Sequence, residues 1–148
     1  MARTQKQKVI AHRLDGTLLK GTTGDFSPRR KTFTVASEEG STKIKLADLK
    51  GLFFVKEFTG LTGYRERKGF FNDSTKGHKV MVEFVDGEII FGYTASLSER
   101  GVGFYMLPGD PDCNNIKVFV VYAATKRVKL KDPPASEKVP TASGSGKE

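Results

Sequence analysis

Two stretches of this chain, KVIAHRLDGTLLKG at residues 8–21 and KVMVEFVDGEIIFG at residues 79–92, decide the fold because they match position by position. Each opens on Lys-Val, reaches an Asp-Gly pair and ends on a glycine. The match continues, always 71 positions apart, through Ser27 and Ser98, Arg29 and Arg100, and Phe33 and Phe104. The sequence therefore predicts one small module that occurs twice.

Each copy reads as five short strands joined by tight turns. The Asp-Gly pairs predict hairpins, because glycine reaches the positive φ that such turns need. Alternation of apolar and polar residues, as in Thr32 to Ala36 and Lys43 to Leu46, is typical of strands with one buried face. Five strands per copy suit a small closed barrel, which leaves no exposed edge. We therefore predict an all-β protein with two tandem five-stranded SH3/Sm-like β-barrels, at residues 7–56 and 79–130.

The segments outside the two copies differ in character. Residues 57–78 connect the copies and carry four aromatic rings, so we expect this connector to pack on a barrel rather than to act as a free linker. Residues 131–148 are rich in Pro, Ser and Gly and are predicted to be a disordered tail. The aromatic residues of the connector are Phe58, Tyr64, Phe70 and Phe71.

The net charge of +8 lies almost wholly in the first copy. Residues 1–56 carry twelve Lys/Arg against five Asp/Glu, whereas residues 79–130 carry six of each. A basic surface suits a polyanion, nucleic acid above all, although solubility alone would also account for it. The unequal charge indicates that the two copies no longer do the same job.

The first copy resembles the Sm-like barrel family, which includes the Hfq-type RNA chaperones. The resemblance rests on residues 14–21 followed by Asp25-Phe26, and on residues 44–52, which are similar to the two motifs of that family. It implies RNA contacts from the loop after the second strand and from the kink before the last strand, at Ser27, Arg29, Arg30, Lys31, Asp48 and Lys50. Phe26 or Phe33 could stack on a base, although a core position is favoured for Phe33. The nucleic-acid site that we expect comprises Arg29, Arg30, Lys31, Lys43, Lys45 and Lys50.

The second copy also resembles a degenerate PilZ domain, the receptor module for cyclic di-GMP. The turn at residues 96–104 is similar to one motif of that family, and Arg65, Arg67 and Lys68 lie about where its arginine pair should be. The second arginine of that pair would fall on Gly69, so the forked grip on a phosphate is incomplete. This alternative ligand site comprises Arg65, Arg67, Lys68, Ser96, Ser98 and Arg100.

No catalytic or metal-binding pattern accompanies the repeat. The sequence has neither a GxxxxGK[ST] nor a GxGxxG loop, and His12 and His78 are far apart. Cys113, the single cysteine, could be an exposed thiol without an obvious base to activate it. Asp15 and Asp86 are better explained by their turns than as paired carboxylates. We therefore expect a protein that is not an enzyme and uses neither a metal nor a cofactor.

The sequence is compatible with three functions. The first is binding of RNA or single-stranded nucleic acid by the basic first copy, and the second is binding of cyclic di-GMP. The third is a protein-interaction adaptor whose strand edges or aromatic connector recruit a partner. The lone cysteine, the absence of a long apolar run and the polar N-terminus favour a cytoplasmic, bacterial regulatory protein without a membrane span.

Overall fold

The computed structural model describes residues 6–59, 69, 77–95, 97, 101–110 and 112–131, and these ranges form ten antiparallel strands and two single turns of 3-10 helix. The all-β prediction is confirmed. The strands of the first copy are β1 (Gln7–Arg13), β2 (Leu18–Thr23), β3 (Thr32–Ser37), β4 (Gly40–Lys45) and β5 (Leu49–Val55). Those of the second copy are β6 (His78–Phe84), β7 (Ile89–Thr94), β8 (Gly103–Pro108), β9 (Asn115–Val121) and β10 (Thr125–Lys131). The 3-10 turns, Leu46–Asp48 and Tyr122–Ala124, precede β5 and β10.

The structure confirms the repeat at the level of strand register. In the first hairpin Gln7 is opposite Thr23, and in the matching hairpin His78 is opposite Thr94, a shift of 71 in both residues. From the fourth strand onward the shift is 76, because the loop before β9 is longer than the loop before β4. The same shift relates the two 3-10 turns and the two closing strands.

The Asp-Gly hairpins form as the sequence predicts. Gly16 has φ +91° and Gly87 has φ +97°, in the region that side chains with a Cβ rarely adopt. The preceding aspartates complete the turns, because each carboxylate accepts a hydrogen bond from the backbone N–H two residues later. These bonds join Asp15 to Thr17 at 2.9 Å and Asp86 to Glu88 at 3.0 Å.

The ten strands form one sheet in the order β10-β6-β7-β8-β9-β5-β1-β2-β3-β4. The prediction of two separately closed barrels is therefore not confirmed. The reason lies at the centre of the sheet, where β5 of the first copy pairs with β9 of the second. All seven residues of β5 are buried, and four consecutive residues of β9, Val118–Val121, are buried as well. A strand that is buried on both faces must pair along both of its edges and be covered on both of its faces. The second copy provides the second paired edge and the second core.

Two hydrophobic cores lie against this shared centre, and each takes residues from both copies. The core of the first copy includes Phe119 and Val121 of β9, whereas the core of the second includes Phe53 and Val55 of β5. Alternate side chains of a strand point to opposite faces, so each central strand serves both cores. The copies are therefore joined by interleaved packing and not merely tethered.

The described residues of the connector also contact the second copy. Phe58 packs against the core of the second copy, as expected for an aromatic connector, and the backbone of Gly69 lies against Gly109. The rest of the connector and the predicted tail from residue 132 onward lie outside the described residues. Among the described residues, no helix has the length and apolar character needed to cross a membrane.

Candidate functional site: a groove between the two copies

A cavity of about 850 Å³ opens where the two copies meet. The first copy contributes the loop between β2 and β3 and the first 3-10 turn. The second copy contributes Val102 and its own 3-10 turn. The lining residues are Pro28, Arg29, Arg30, Lys31, Thr32, Lys45, Leu46, Ala47, Val102, Val121, Tyr122 and Ala123. We call this cavity the junction groove.

The two walls of the junction groove are built from matched positions of the repeat. Lys31 corresponds to Val102 and Lys45 to Val121, so the positions that carry cations in the first copy carry valines in the second. The backbone is the same on both sides, since Leu46 N–H donates to the Lys31 carbonyl and Tyr122 N–H to the Val102 carbonyl, each at 2.9 Å. The same backbone arrangement thus carries different side chains in the two copies. We call the side with Arg29, Arg30, Lys31 and Lys45 the basic wall, and the side with Val102, Val121, Tyr122 and Ala123 the apolar wall.

The loop that carries the basic wall is fixed by a short network of hydrogen bonds. Asp25 Oδ1 accepts from Thr34 N–H at 3.0 Å and from the Thr23 hydroxyl at 3.1 Å. Although burial opposes ionisation, these bonds favour the charged form and lower the pKa of Asp25. Ser27 then accepts from Arg29 N–H at 3.2 Å. The exposed Arg29, Arg30 and Lys31 are therefore presented on an anchored turn.

Lys50 does not join the basic wall, although the sequence grouped it with the nucleic-acid residues. Its side chain is only 11% exposed, and its Nζ lies 2.7 Å from Asp86 Oδ2 and 2.5 Å from Glu88 Oε1 of the second copy. The ammonium also lies 4.7 Å from the centre of the Phe84 ring. Burial alone would lower the pKa of Lys50, but the hydrogen bonds to Asp86 and Glu88 outweigh it and raise that pKa. This charge is neutralised within the molecule and holds the copies together.

His12 lies beside this ion-pair cluster. Its ring centre is 4.0 Å from that of Phe53. Burial, together with the nearby charge of Lys50, lowers its pKa from 6.5 to about 4. The imidazole is therefore neutral near pH 7 and belongs to the packing at the junction.

The remaining predicted cation, Lys43, lies on β4 next to the groove. Together with Lys45 it lines a second depression of about 520 Å³, to which Arg13, Asp15 and Asp48 also contribute. Lys45 lines both cavities. Of the six predicted nucleic-acid residues, the junction groove thus brings together Arg29, Arg30, Lys31 and Lys45, with Lys43 adjacent on the same strand.

The two phenylalanines considered for base stacking are occupied elsewhere. Phe33 is 1% exposed and lies in the core of the first copy, so the core interpretation is confirmed. Phe26 packs edge-on against Phe33 at 4.9 Å and against Phe119 at 5.2 Å between ring centres. Their role is to seat the β2–β3 loop on the core.

The remaining sequence candidates are the cysteine, a metal site and the alternative nucleotide site. Cys113 is 1% exposed, so the exposed thiol we considered is wrong. Within the described ranges, no group of three or more His, Cys, Asp or Glu side chains is arranged to hold a metal ion. The alternative nucleotide site, made of Arg65, Arg67, Lys68, Ser96, Ser98 and Arg100, lies outside the described residues, and it stays a prediction.

Comparison with known proteins identifies the chain only at the level of a family. The family model described as "Family of unknown function (DUF6982)" matches residues 5–131, which include both copies and the connector. The chain belongs to the DUF6982 family. No curated protein and no solved structure matches it.

Sequence reasoning missed the apolar wall, and with it Val102 and Tyr122. The signal was present in the repeat itself. Lining up the copies at their offsets of 71 and 76 places Val102 on Lys31 and Tyr122 on Leu46. That a groove lies between these positions depends on the β5–β9 pairing, which joins residues far apart in the chain.

Proposed function

We propose that this protein binds single-stranded nucleic acid, RNA in particular, in the junction groove. The observation that carries the proposal is that four cationic residues line one cavity whose surface is otherwise almost wholly apolar. Phosphates would lie along Arg29, Arg30, Lys31 and Lys45, and a base would lie against Val102 and the ring of Tyr122. Single-strand binding sites combine these two elements, a cationic track and a face for bases.

The apolar lining of the groove favours a single strand over a duplex. Bases in a duplex are stacked and paired, so they cannot turn toward an apolar wall, whereas an unpaired base can. The groove has cations in the first copy at positions where the second copy has apolar residues. This difference argues against a role in solubility alone, because charges that serve only solubility need not gather beside an apolar surface. No general acid, base or nucleophile takes part, and the proposed role is binding rather than catalysis.

A titration of fluorescently labelled single-stranded RNA against two triple variants tests this proposal. R29A/R30A/K31A removes the basic loop, and K126A/R127A/K129A removes three cations of β10 that do not line the groove. We expect the first variant to weaken binding about tenfold or more and the second to change it little. Equal losses would reduce the proposal to general charge attraction, and an unchanged affinity in R29A/R30A/K31A would contradict it.

A further inference from the structure

Two strands, β4 and β10, end the sheet, and the internal junction shows what such edges can do. In the junction β5 pairs antiparallel with β9, and β4 is the repeat counterpart of β9. Among the described residues β4 pairs only with β3, at six successive positions. Within the described ranges, the backbone N–H and C=O groups along its other side pair with no strand, so they can accept an added one.

The surface beside β4 is the unfilled counterpart of an occupied one. In the second copy, the turn that carries Asp86 and the ring of Phe84 receives Lys50 from β5. The equivalent place in the first copy is the depression of about 520 Å³ beside Lys43 and Lys45, where Arg13 stands at the position of Phe84 and Asp15 at that of Asp86. A strand added to β4 in the β5–β9 register would lie across this depression.

The side chains on β4 determine what kind of strand fits. Lys43 and Lys45 correspond to Phe119 and Val121. In the junction, those two side chains project into the core of the other copy, the copy that contributes β5. Both lysines are exposed in the first copy, with the buried Ile44 between them. Cross-strand neighbours on the same face interact directly, so a partner strand with carboxylates at alternate positions matches this pattern.

A second copy of the chain fits poorly at the same edge. Its β10 would take the place of β5, but Arg127 and Lys129 stand where β5 has Gly51 and Phe53. In the β5–β9 register, Arg127 would lie opposite Ile44 and Lys129 opposite Thr42, on the face where the junction has the core residues Val120 and Val118. Lys126 would lie opposite Lys45. Burying cations without partners is costly, and lysines on edge strands are a common defence against such pairing. A nucleic acid, for its part, cannot complete the backbone hydrogen bonds of a strand edge.

We propose that the β4 edge binds an extended acidic segment of a protein partner by strand addition, with carboxylates opposite Lys43 and Lys45. This interaction differs from nucleic-acid binding because it requires the backbone of β4 and does not require Arg29, Arg30 or Lys31, although Lys45 belongs to both sites. It gives the first copy two roles, a basic loop at the groove and a basic edge at the end of the sheet.

Fluorescence anisotropy with a labelled alternating Glu-Thr peptide tests the proposal on the full chain. A second peptide of the same sequence, N-methylated at every other residue, keeps the charge but cannot complete the strand pairing. We expect the N-methylated peptide and the K43E/K45E variant each to lose about tenfold or more in affinity. The R127E/K129E control, which reverses the same charge on β10, and R29A/R30A/K31A should both retain binding.

A charge swap distinguishes loss of the proposed contact from misfolding of the K43E/K45E variant. K43E/K45E should gain affinity for an alternating Lys-Thr peptide, which only a folded edge can do. Equal binding of the N-methylated peptide, or an equal loss in R127E/K129E, would overturn the proposal in favour of general charge attraction. Self-association of the native chain that is lost in K43E/K45E would overturn it in favour of a second copy.

Discussion

Lys50 has a structural role that its position in the sequence does not indicate. In the sequence it is one of several lysines in a basic segment, but in the structure it joins the copies through Asp86 and Glu88. Replacing Lys50 by Met should lower the free energy of unfolding by about 2 kcal/mol, because the buried ion pair is lost while the half-exposed carboxylates regain water. Urea denaturation measures this change.

The repeat provides the matched control for Lys50. Lys126 occupies the same position in the second copy, but its side chain is 61% exposed and its Nζ is 4.0 Å from Glu83 Oε2. Lys126→Met should therefore change the unfolding free energy by less than about 0.5 kcal/mol. A similar loss in both variants would show that Lys50 contributes as an ordinary surface lysine.

His12 should make the protein sensitive to mild acid. Its folded-state pKa of about 4 lies below its ordinary value of 6.5, so between these values the unfolded chain binds a proton that the folded chain does not. Stability attributable to His12 is therefore complete above pH 6.5 and is lost as the pH falls toward 4. Between pH 7 and 5 the loss should be about 1 kcal/mol, reduced from the full value because the ring is partly exposed.

Urea denaturation of the native chain and of His12→Gln at pH 7 and pH 5 isolates this effect. The difference between the two proteins should grow on acidification in favour of the variant, because the variant has no imidazole to protonate at this position. A difference that does not change with pH would contradict the account of His12.

At the scale of elements, the hairpins depend on two glycines for different reasons. A Cβ on Gly21 of β2 would lie 2.3 Å from the Ala36 carbonyl oxygen and 2.6 Å from Val35, whereas a Cβ on Gly16 would meet nothing within 4 Å. Gly21→Ala should cost about 3 kcal/mol through overpacking, and Gly16→Ala only about 1 kcal/mol through its positive φ. Thermal and urea denaturation of both variants check the order, and a larger loss for Gly16→Ala would contradict it.

The elements themselves were largely predictable from the sequence, because their signals are local. Asp-Gly pairs, alternating strands and the short kink before β5 depend on neighbouring residues, and the structure places them where the sequence does. The pairing of β5 with β9 is not local, since Phe53 and Val118 lie opposite each other across 65 positions of chain. One hint was available, because the runs GLFFV and VFVV are apolar on both faces, whereas β4 and β10 alternate.

At the scale of the whole molecule, the candidate site follows from how the two copies are joined. The basic loop with Arg29, Arg30 and Lys31 was visible in the sequence, but its opposite wall was not. That wall consists of Val102 and the second 3-10 turn, and it faces the loop only because β5 and β9 close the junction. The basic charge of the first copy was thus visible in the sequence. The open edges of the sheet, which the prediction of closed barrels excluded, and the cavity between the copies both follow from the long-range pairing of β5 with β9.

The salt dependence of RNA binding is a property of the whole groove. Each phosphate contact on a single strand contributes about 0.7 to the slope of log affinity against log salt, so the loss of three cations in R29A/R30A/K31A should flatten that slope by about 2. Titrations over a series of salt concentrations measure the slopes of the native chain and the variant. Parallel slopes would place the phosphate contacts elsewhere on the molecule.

The most direct test of the central claim, that one groove built from both copies holds the nucleic acid, is photo-crosslinking of a 5-iodouridine single-stranded RNA followed by mapping of the attached peptide. The account predicts crosslinks at Tyr122, in the second copy, that are lost when Arg29, Arg30 and Lys31 of the first copy are replaced by alanine. Crosslinks that avoid Tyr122, or that persist unchanged in the R29A/R30A/K31A variant, would contradict it.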